Sequence, residues 1–428
     1  MTPNLTRKTW RSLSCLIICF VALIFVLSLW PPIFHIRTGV DTVLFMHKRQ
    51  ASKRITINPF PAESLNTSLG GTSTPTRDQP EKDLNLTTKK ENVLWERQKT
   101  SESVPHVDHV PSKTAPVKIK RIIVVAYFRS GSSFLGEILS QAPRTFYHFE
   151  PLYFYASVRG AHVVNMSAGL NVLGDIFRCD FHGAPDYLER GKSFIYPFAA
   201  NRAYWLYCGG EIDVCFDAAV MSQFCQMCTI QVMKVIRSSL RQVREWINAN
   251  TDIGGTVKVV HLVRDPRGIW SSRLRRSACL YSSGCRRIET LCKRMREDLD
   301  EFEDLKKVFP DRFVQVRYED VALEPAKRAR LLFDQLRLPF TQQVSQFIRT
   351  HTRHDLKRKP RMAFSTKRNS AKAAFRWTRR LNYSQAALVQ NACPDVFRRL
   401  GYRVVTSEAE YRLSRGPSFV LHINSGNK

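Results

Sequence analysis

Ile122-Ile-Val-Val-Ala126, then Arg129-Ser-Gly-Ser-Ser133, then Phe134-Leu-Gly-Glu-Ile-Leu139: on this stretch the fold turns. The first piece is a β-branched run without apolar–polar alternation, the pattern of a strand buried on both faces of a parallel sheet. The second is a Gly- and Ser-rich turn, and the third reads as helix. A loop of that kind opening a helix offers backbone N–H groups and a positive dipole end to an anion. Gly131 allows close backbone approach, Ser130, Ser132 and Ser133 carry hydroxyl donors, and Arg129 adds fixed charge. The nucleoside triphosphatase loop, G-x-x-x-x-G-K-[ST], is absent, because Ser132 follows Gly131 where Lys is required. An anion cradle is supported and ATP or GTP hydrolysis is not; a Ser-rich helix cap is the plainer reading of the same residues.

Outward from this stretch the pattern repeats. Strand-like runs fall at 145–149, 230–236, 257–263 and 313–317, with helical segments at 240–249, 294–308 and 326–336 among them. Strand alternating with helix predicts an α/β fold with a parallel sheet, whose ligands gather at the carboxyl ends of the strands. A second chemistry-bearing cluster lies at such an end: Val259-Val-His-Leu-Val-Arg264-Asp-Pro-Arg267-Gly-Ile-Trp-Ser-Ser272. Pro266 turns the chain and a helix starts near Arg267. Arg264 and Ser272 then converge as a phosphate seat of charge-assisted hydrogen bonds. An ordinary salt bridge of Arg264 with Asp265 is the alternative.

The chain has 428 residues, 43% of them hydrophobic, and carries 66 Lys+Arg against 37 Asp+Glu, a formal charge of +29. It is long enough for a large core, and a field of that sign attracts polyanions. Arg7, Lys8 and Arg11 precede an apolar run over 15–30 that Pro31 and Pro32 interrupt. Extended to residue 36, the run approaches the roughly 20 residues that span a bilayer. A cleaved signal peptide is the competing reading, but bulky Ile33, Phe34 and His35 stand where small residues would mark cleavage. The expected layout is a cytoplasmic tail (1–14), a single-pass signal anchor (15–36), a flexible lumenal stem rich in Ser, Thr and Pro (37–117) and a catalytic domain (118–428). Sequons at Asn66, Asn85, Asn165 and Asn382 suit the secretory route. Of eleven cysteines, Cys15 and Cys19 lie in the anchor, and the remaining nine stand where disulfides persist. An odd number leaves one free or pairing between chains of a homo-oligomer. Cys225-Gln-Met-Cys228 lacks companion ligands for zinc, so structural disulfides, with Cys208 and Cys215 among them, are expected and no metal site is. Nucleic acid is not an expected partner in that compartment.

Over 121–404 the chain resembles the Golgi carbohydrate 6-O-sulfotransferases, which modify galactose, N-acetylgalactosamine or N-acetylglucosamine. The resemblance is carried by Arg129-Ser-Gly-Ser-Ser-Phe134, Phe149-Glu-Pro-Leu152, Leu262-Val-Arg-Asp-Pro-Arg-Gly268, Val316-Arg-Tyr-Glu-Asp320 and Arg368-Asn-Ser370 with Asn391-Ala-Cys393. It implies a P-loop-like sulfotransferase fold with a central five-stranded parallel sheet flanked by helices. It also implies a Golgi membrane enzyme that takes sulfate from phosphoadenosine phosphosulfate (PAPS). The block from Arg129 to Phe134 would hold the 5′-phosphosulfate, and Arg264 and Ser272 fall where the family's 3′-phosphate ligands do. One departure stands out: the family pattern has Trp followed at once by Arg, whereas here Trp377 and Thr378 precede Arg379.

Sulfate transfer needs positioning and stabilisation of charge on the equatorial and leaving oxygens, by analogy with phosphoryl transfer. Arg129 and the amides near Gly131 suit that role without a metal. A base must take the hydroxyl proton. Glu150, at the end of the second strand, is the candidate; His148 is its rival, because strand alternation puts the two on one face. Glu150 as a helix cap is the plainer alternative. Lys234 and Arg237, at another strand end, are candidate contacts to phosphosulfate or an acidic sugar. Tyr318-Glu319-Asp320 reads as a sheet fixture. Lys357-Arg-Lys-Pro-Arg361 leads into a loop expected to close on nucleotide, with Arg368 near a phosphate. The acceptor is expected to be a glycan or proteoglycan, keratan or chondroitin sulfate among them. A membrane-tethered polyanion-binding protein without catalysis is the rival of a different class.

Overall fold

A computed structural model describes residues 118–155, 165–276, 279, 283–353 and 366–413. The expected tail, anchor and stem, the sequons at Asn66 and Asn85, and the basic stretch 357–361 lie outside the described residues. Among those described, no helix is long and apolar enough to cross a membrane.

Five strands form the sheet: β1 (Lys120–Ala126), β2 (Thr145–Phe149), β3 (Ile230–Val235), β4 (Val257–Val263) and β5 (Phe313–Arg317). All neighbours pair in parallel, in the order β2-β3-β1-β4-β5. The helices most closely tied to the site and the sheet are α1 (Ser132–Leu139), α2 (Leu240–Ala249), α3 (Pro266–Arg273), α4 (Ile288–Val308) and α5 (Pro325–Leu336). The expected five-stranded parallel sheet is therefore present, with its strands within a residue or two of the expected limits.

Strands of this kind are continuous apolar runs because helices cover both faces of the sheet. Ile122 and Val124 of β1 join one core, with α1 and Ile288, Leu291 and Met295 of α4. Ile123 and Val125 join the other, with Val243 and Trp246 of α2 and the aromatic residues Phe177, Phe181, Tyr187 and Phe224. The period of two thus survives inside an unbroken hydrophobic run, dividing it between two cores.

Four disulfides join Cys179 to Cys225, Cys208 to Cys215, Cys279 to Cys285 and Cys292 to Cys393. Cys225 thus bonds away from its near neighbour, and Cys228 is left as a free, buried thiol. Burial pushes that thiol up to about 12, so it is neither a ready nucleophile nor a surface link between chains. The expectation that the odd cysteine joins a homo-oligomer loses its support on that ground.

Candidate active site

The order of the sheet puts β1 at its centre: the chain runs from it to β2 and β3 on one side, then crosses over to β4 and β5 on the other. That is the topological switch point, where a crevice opens beyond the carboxyl ends. The predicted residues from Arg129 to Phe134 follow β1, His148 and Glu150 stand at the end of β2, Lys234 and Arg237 at the end of β3 and Arg264 at the end of β4, while Ser272 and Arg368 lie farther along the chain.

Residues 127–131 make the turn after β1. Arg129 has φ 74° and Gly131 φ 98°. A Cβ on Gly131 would stand 2.3 Å from Cδ2 of Tyr318, so the ring of Tyr318 forms the floor of the loop and only glycine fits above it. Gly131 is also the N-cap of α1, and no side chain caps that helix. Its first N–H groups have no intrahelical acceptor, which leaves them for a ligand. Ser130 is fully buried and its Oγ has no hydrogen-bond partner. Ser132 is buried, Ser133 half-buried and Phe134 packed into the core.

Two arginines from the β4–α3 segment brace this turn from behind. Arg264 donates from Nη1 to the Arg129 carbonyl at 2.9 Å, and Arg273 donates from Nε to the Phe128 carbonyl at 3.1 Å. With its carbonyls tied back, the loop presents N–H groups forward. Arg264 lies over the Tyr318 ring, 4.6 Å from its centroid, and stands 3.8 Å from the Glu319 carboxylate. The alternative pairing with Asp265 is not formed: that carboxylate caps α3 through the Arg267 amide and pairs with the Arg267 side chain at 2.8 Å. Ser272 is brought to the site, where its Oγ accepts from Arg129 Nε at 3.1 Å. The two expected seats are thus one continuous surface, with Arg129 as the link between them.

The electrostatics of that surface favour an anion. Burial pushes Arg129 down to about 9, with Arg276, Arg264 and Arg368 adding like-charge repulsion. Arg368 is lowered by burial and by Arg376, Arg264 and Arg276. Arg380 is lowered to about 10 by burial and by four arginines, Arg376, Arg275, Arg276 and Arg264. Guanidiniums that raise one another's energy are relieved by polyanion binding. The sequence reading had Arg368 but missed Arg273, Arg276, Arg376 and Arg380. A signal existed in Arg273-Leu-Arg-Arg276, a basic run directly after the strand-end helix.

Glu150 occupies the end of β2. Its N–H donates to the Lys234 carbonyl at 3.0 Å, continuing the ladder by one residue. Its backbone then turns left-handed, with φ 50° and ψ 58°, into the turn Pro151–Phe154. Lys234 donates to Oε1 at 2.5 Å and Arg237 donates to Oε2. Burial pushes the carboxyl up, but the Lys234 ammonium and the Arg237 guanidinium outweigh it and hold the group below the usual glutamate range. Burial in turn pushes Lys234 down to about 8, against the pull of Glu150. Both cations rest on aromatic rings: Lys234 is 3.4 Å from the Phe149 centroid and Arg237 is 4.7 Å from that of Tyr153.

His148 is not brought to Glu150. Its Nε2 is hydrogen-bonded to the Tyr187 hydroxyl, and its ring packs edge-on against Phe198 in the second core. Burial pushes the imidazole down to about 3. The alternation argument fails here because the left-handed turn at Glu150 carries its side chain toward Lys234 and the Phe149 side of the sheet. Among the described residues, no His, Cys, Asp and Glu group is placed to hold a metal ion.

A model of the sulfotransferase family matches residues 255–342, from the start of β4 to the start of the helix Gln342–Thr352. Carbohydrate sulfotransferase 1 of Rattus norvegicus is 27% identical over 341 residues, covering 68% of this chain and 81% of the relative. The chain is similar to the carbohydrate sulfotransferases. Carbohydrate sulfotransferase 5 of Homo sapiens is 28% identical over 343 residues, covering 69% and 82%. Among solved structures, the sulfotransferase domain from the curacin biosynthetic pathway aligns at a TM-score of 0.40 and 15% identity, over 67% of this chain and 99% of that one.

Proposed function

We propose that this chain transfers sulfate from PAPS to a sugar hydroxyl, the 6-position of galactose, N-acetylgalactosamine or N-acetylglucosamine, on a glycan or proteoglycan such as keratan or chondroitin sulfate. The observation that carries the reading is the mutually repelling arginine cluster around an uncapped helix start, two strands away from a buried carboxylate. The fit to a nucleotide carrying two anionic groups is chemical. The unpartnered Ser130 Oγ and the open N–H groups of α1 suit the 5′-phosphosulfate. Arg264, whose Nε has no hydrogen-bond partner, suits the 3′-phosphate together with Ser272. Arg368 belongs to the same cluster. Transfer to carbohydrate is also what the names of the relatives describe.

In the reaction the acceptor oxygen forms a bond to sulfur while the bond from sulfur to the 5′-phosphate oxygen breaks. Arg129 and the loop amides stabilise the charge that grows on the leaving oxygen. The acceptor proton passes to Glu150. A carboxylate pinned by two cations is a weak base, but each oxygen keeps a lone-pair site for a further donor. The hydroxyl becomes strongly acidic once its oxygen bonds sulfur, so a weak, permanently ionised acceptor suffices late in the transfer. Lys234 and Arg237 hold that carboxylate in place and in its charged form. This differs from their expected direct contact with substrate.

The reading includes a type II anchor in the Golgi membrane with residues 118–428 in the lumen. It is supported by the positive flank before the apolar run and by the four disulfides, which need an oxidising compartment. Sequon residues Asn165 and Asn382 are exposed, each capping a helix start. The test is transfer of labelled sulfate from PAPS to keratan, chondroitin and N-acetyllactosamine chains by the full chain, with Glu150→Gln beside it. Labelled 6-sulfated product from the wild type, lost by at least about 100-fold in the variant, is the expected result. Absence of transfer from a folded protein to every acceptor would return the chain to a polyanion-binding role.

A further inference from the structure

Three aromatic side chains stand exposed among the described residues, and two of them stack on each other beside Glu150. Tyr153 belongs to the turn directly after Glu150, and Phe194 follows the helix Pro185–Ser193. Their centroids are 4.5 Å apart and their planes 18° from parallel, yet the rings remain 38% and 36% exposed. Tyr153 has both faces covered, one by the stacked Phe194 ring and the other by the Arg237 guanidinium, so within this stack only Phe194 can offer an outer face to solvent. Arg237 ties them to the chemistry, since its guanidinium lies over Tyr153 and pairs with Glu150. The patch is too small for a protein interface, which needs roughly 800 Å² per partner.

We propose that Phe194, backed by Tyr153, offers its outer face as a stacking platform for a hexopyranose ring of the acceptor chain, neighbouring the sugar whose hydroxyl faces Glu150. A pyranose has an apolar C–H face and a rim of hydroxyls, and its polarised C–H bonds suit the negative face of an aromatic ring. The occupant is thus an uncharged stretch of oligosaccharide, since Arg237, the cation that touches the stack, is already engaged with Glu150. This inference rests on the transfer reading for its sugar and adds the subsite that sets its register.

The test leads with Phe194, whose ring packs against Tyr153 and Tyr196, whereas Glu150 is held by Lys234 and Arg237. Phe194→Leu keeps apolar bulk and removes the flat face, and Phe194→Trp restores one; Tyr153→Leu is the companion. Binding of an unsulfated N-acetyllactosamine tetrasaccharide to the full chain is measured by saturation-transfer NMR titration, alongside thermal melting. The expected result is a three- to tenfold loss of affinity in each Leu variant, roughly the worth of one aromatic contact. The Trp variant keeps wild-type affinity, and melting is unchanged in all three. Wild-type affinity in both Leu variants, or no binding by the wild type, overturns the platform. Sulfate transfer without ring-dependent binding removes the platform alone. Ring-dependent binding without sulfate transfer removes the transfer reading and leaves the platform standing.

Discussion

Glu150 shows how one residue is set for its task. Its carboxylate is buried, yet two cations keep it charged, and each cation is itself supported by a ring. The pH dependence follows from signs. Because the Glu150 pKa is lowered, its carboxylate persists on acidification, and kcat/KM should stay flat from pH 7 down through pH 5. Lys234 carries its proton only below about 8. Above that pH one of the two cations is lost, and kcat/KM should fall, a limb that Lys234→Arg moves to higher pH because guanidinium stays charged. A profile that is level to pH 10, or one that falls between pH 7 and 5, would contradict this arrangement. Gly131 gives a second prediction. Gly131→Ala combines a disfavoured φ with a Cβ driven against the buried Tyr318 ring, so the KM for PAPS should rise roughly 30- to 100-fold and the melting temperature should fall as well. The residue types of this site were legible because loops at strand ends bear ligands. The side on which Glu150 points was not, since period two holds only while the backbone stays extended.

At the scale of elements, β4 and α3 do two jobs. They supply Arg264 to the anion surface and, through Arg264 and Arg273, fix the carbonyls of the turn after β1. Strands were readable because burial on both faces leaves an unbroken β-branched run. The small helices between 165 and 228 were not, for they are short, aromatic and partly polar, and are joined by Cys179–Cys225 and Cys208–Cys215. The bond between Cys292 of α4 and Cys393 closes a sequence separation of 101 residues. On the chain-entropy account such a loop is worth about 4–5 kcal/mol. Cys292→Ser with Cys393→Ser should therefore lower unfolding stability by about that amount, read by urea titration at fixed pH. The segment it anchors carries Gln390, whose Oε1 accepts from Arg267 at 2.8 Å. An unchanged midpoint would show that packing alone holds this segment.

The whole molecule carries a formal charge of +29. Part of that charge is a group of guanidiniums beyond the carboxyl end of the sheet, where like charges depress one another and a bound polyanion relieves them. Long-range attraction of that sign also raises encounter rates with acidic polymers. The central claim is that this cluster is built for a nucleotide with both a 5′- and a 3′-anionic group. Isothermal titration of adenosine 3′,5′-bisphosphate into the full chain, beside Arg129→Ala and Arg264→Ala, tests it most directly. The account predicts saturable one-to-one binding by the wild type, weakened roughly 10- to 100-fold in each variant as charged hydrogen bonds are lost. Wild-type protein that fails to bind the bisphosphate, or variants that bind it equally well, would contradict it.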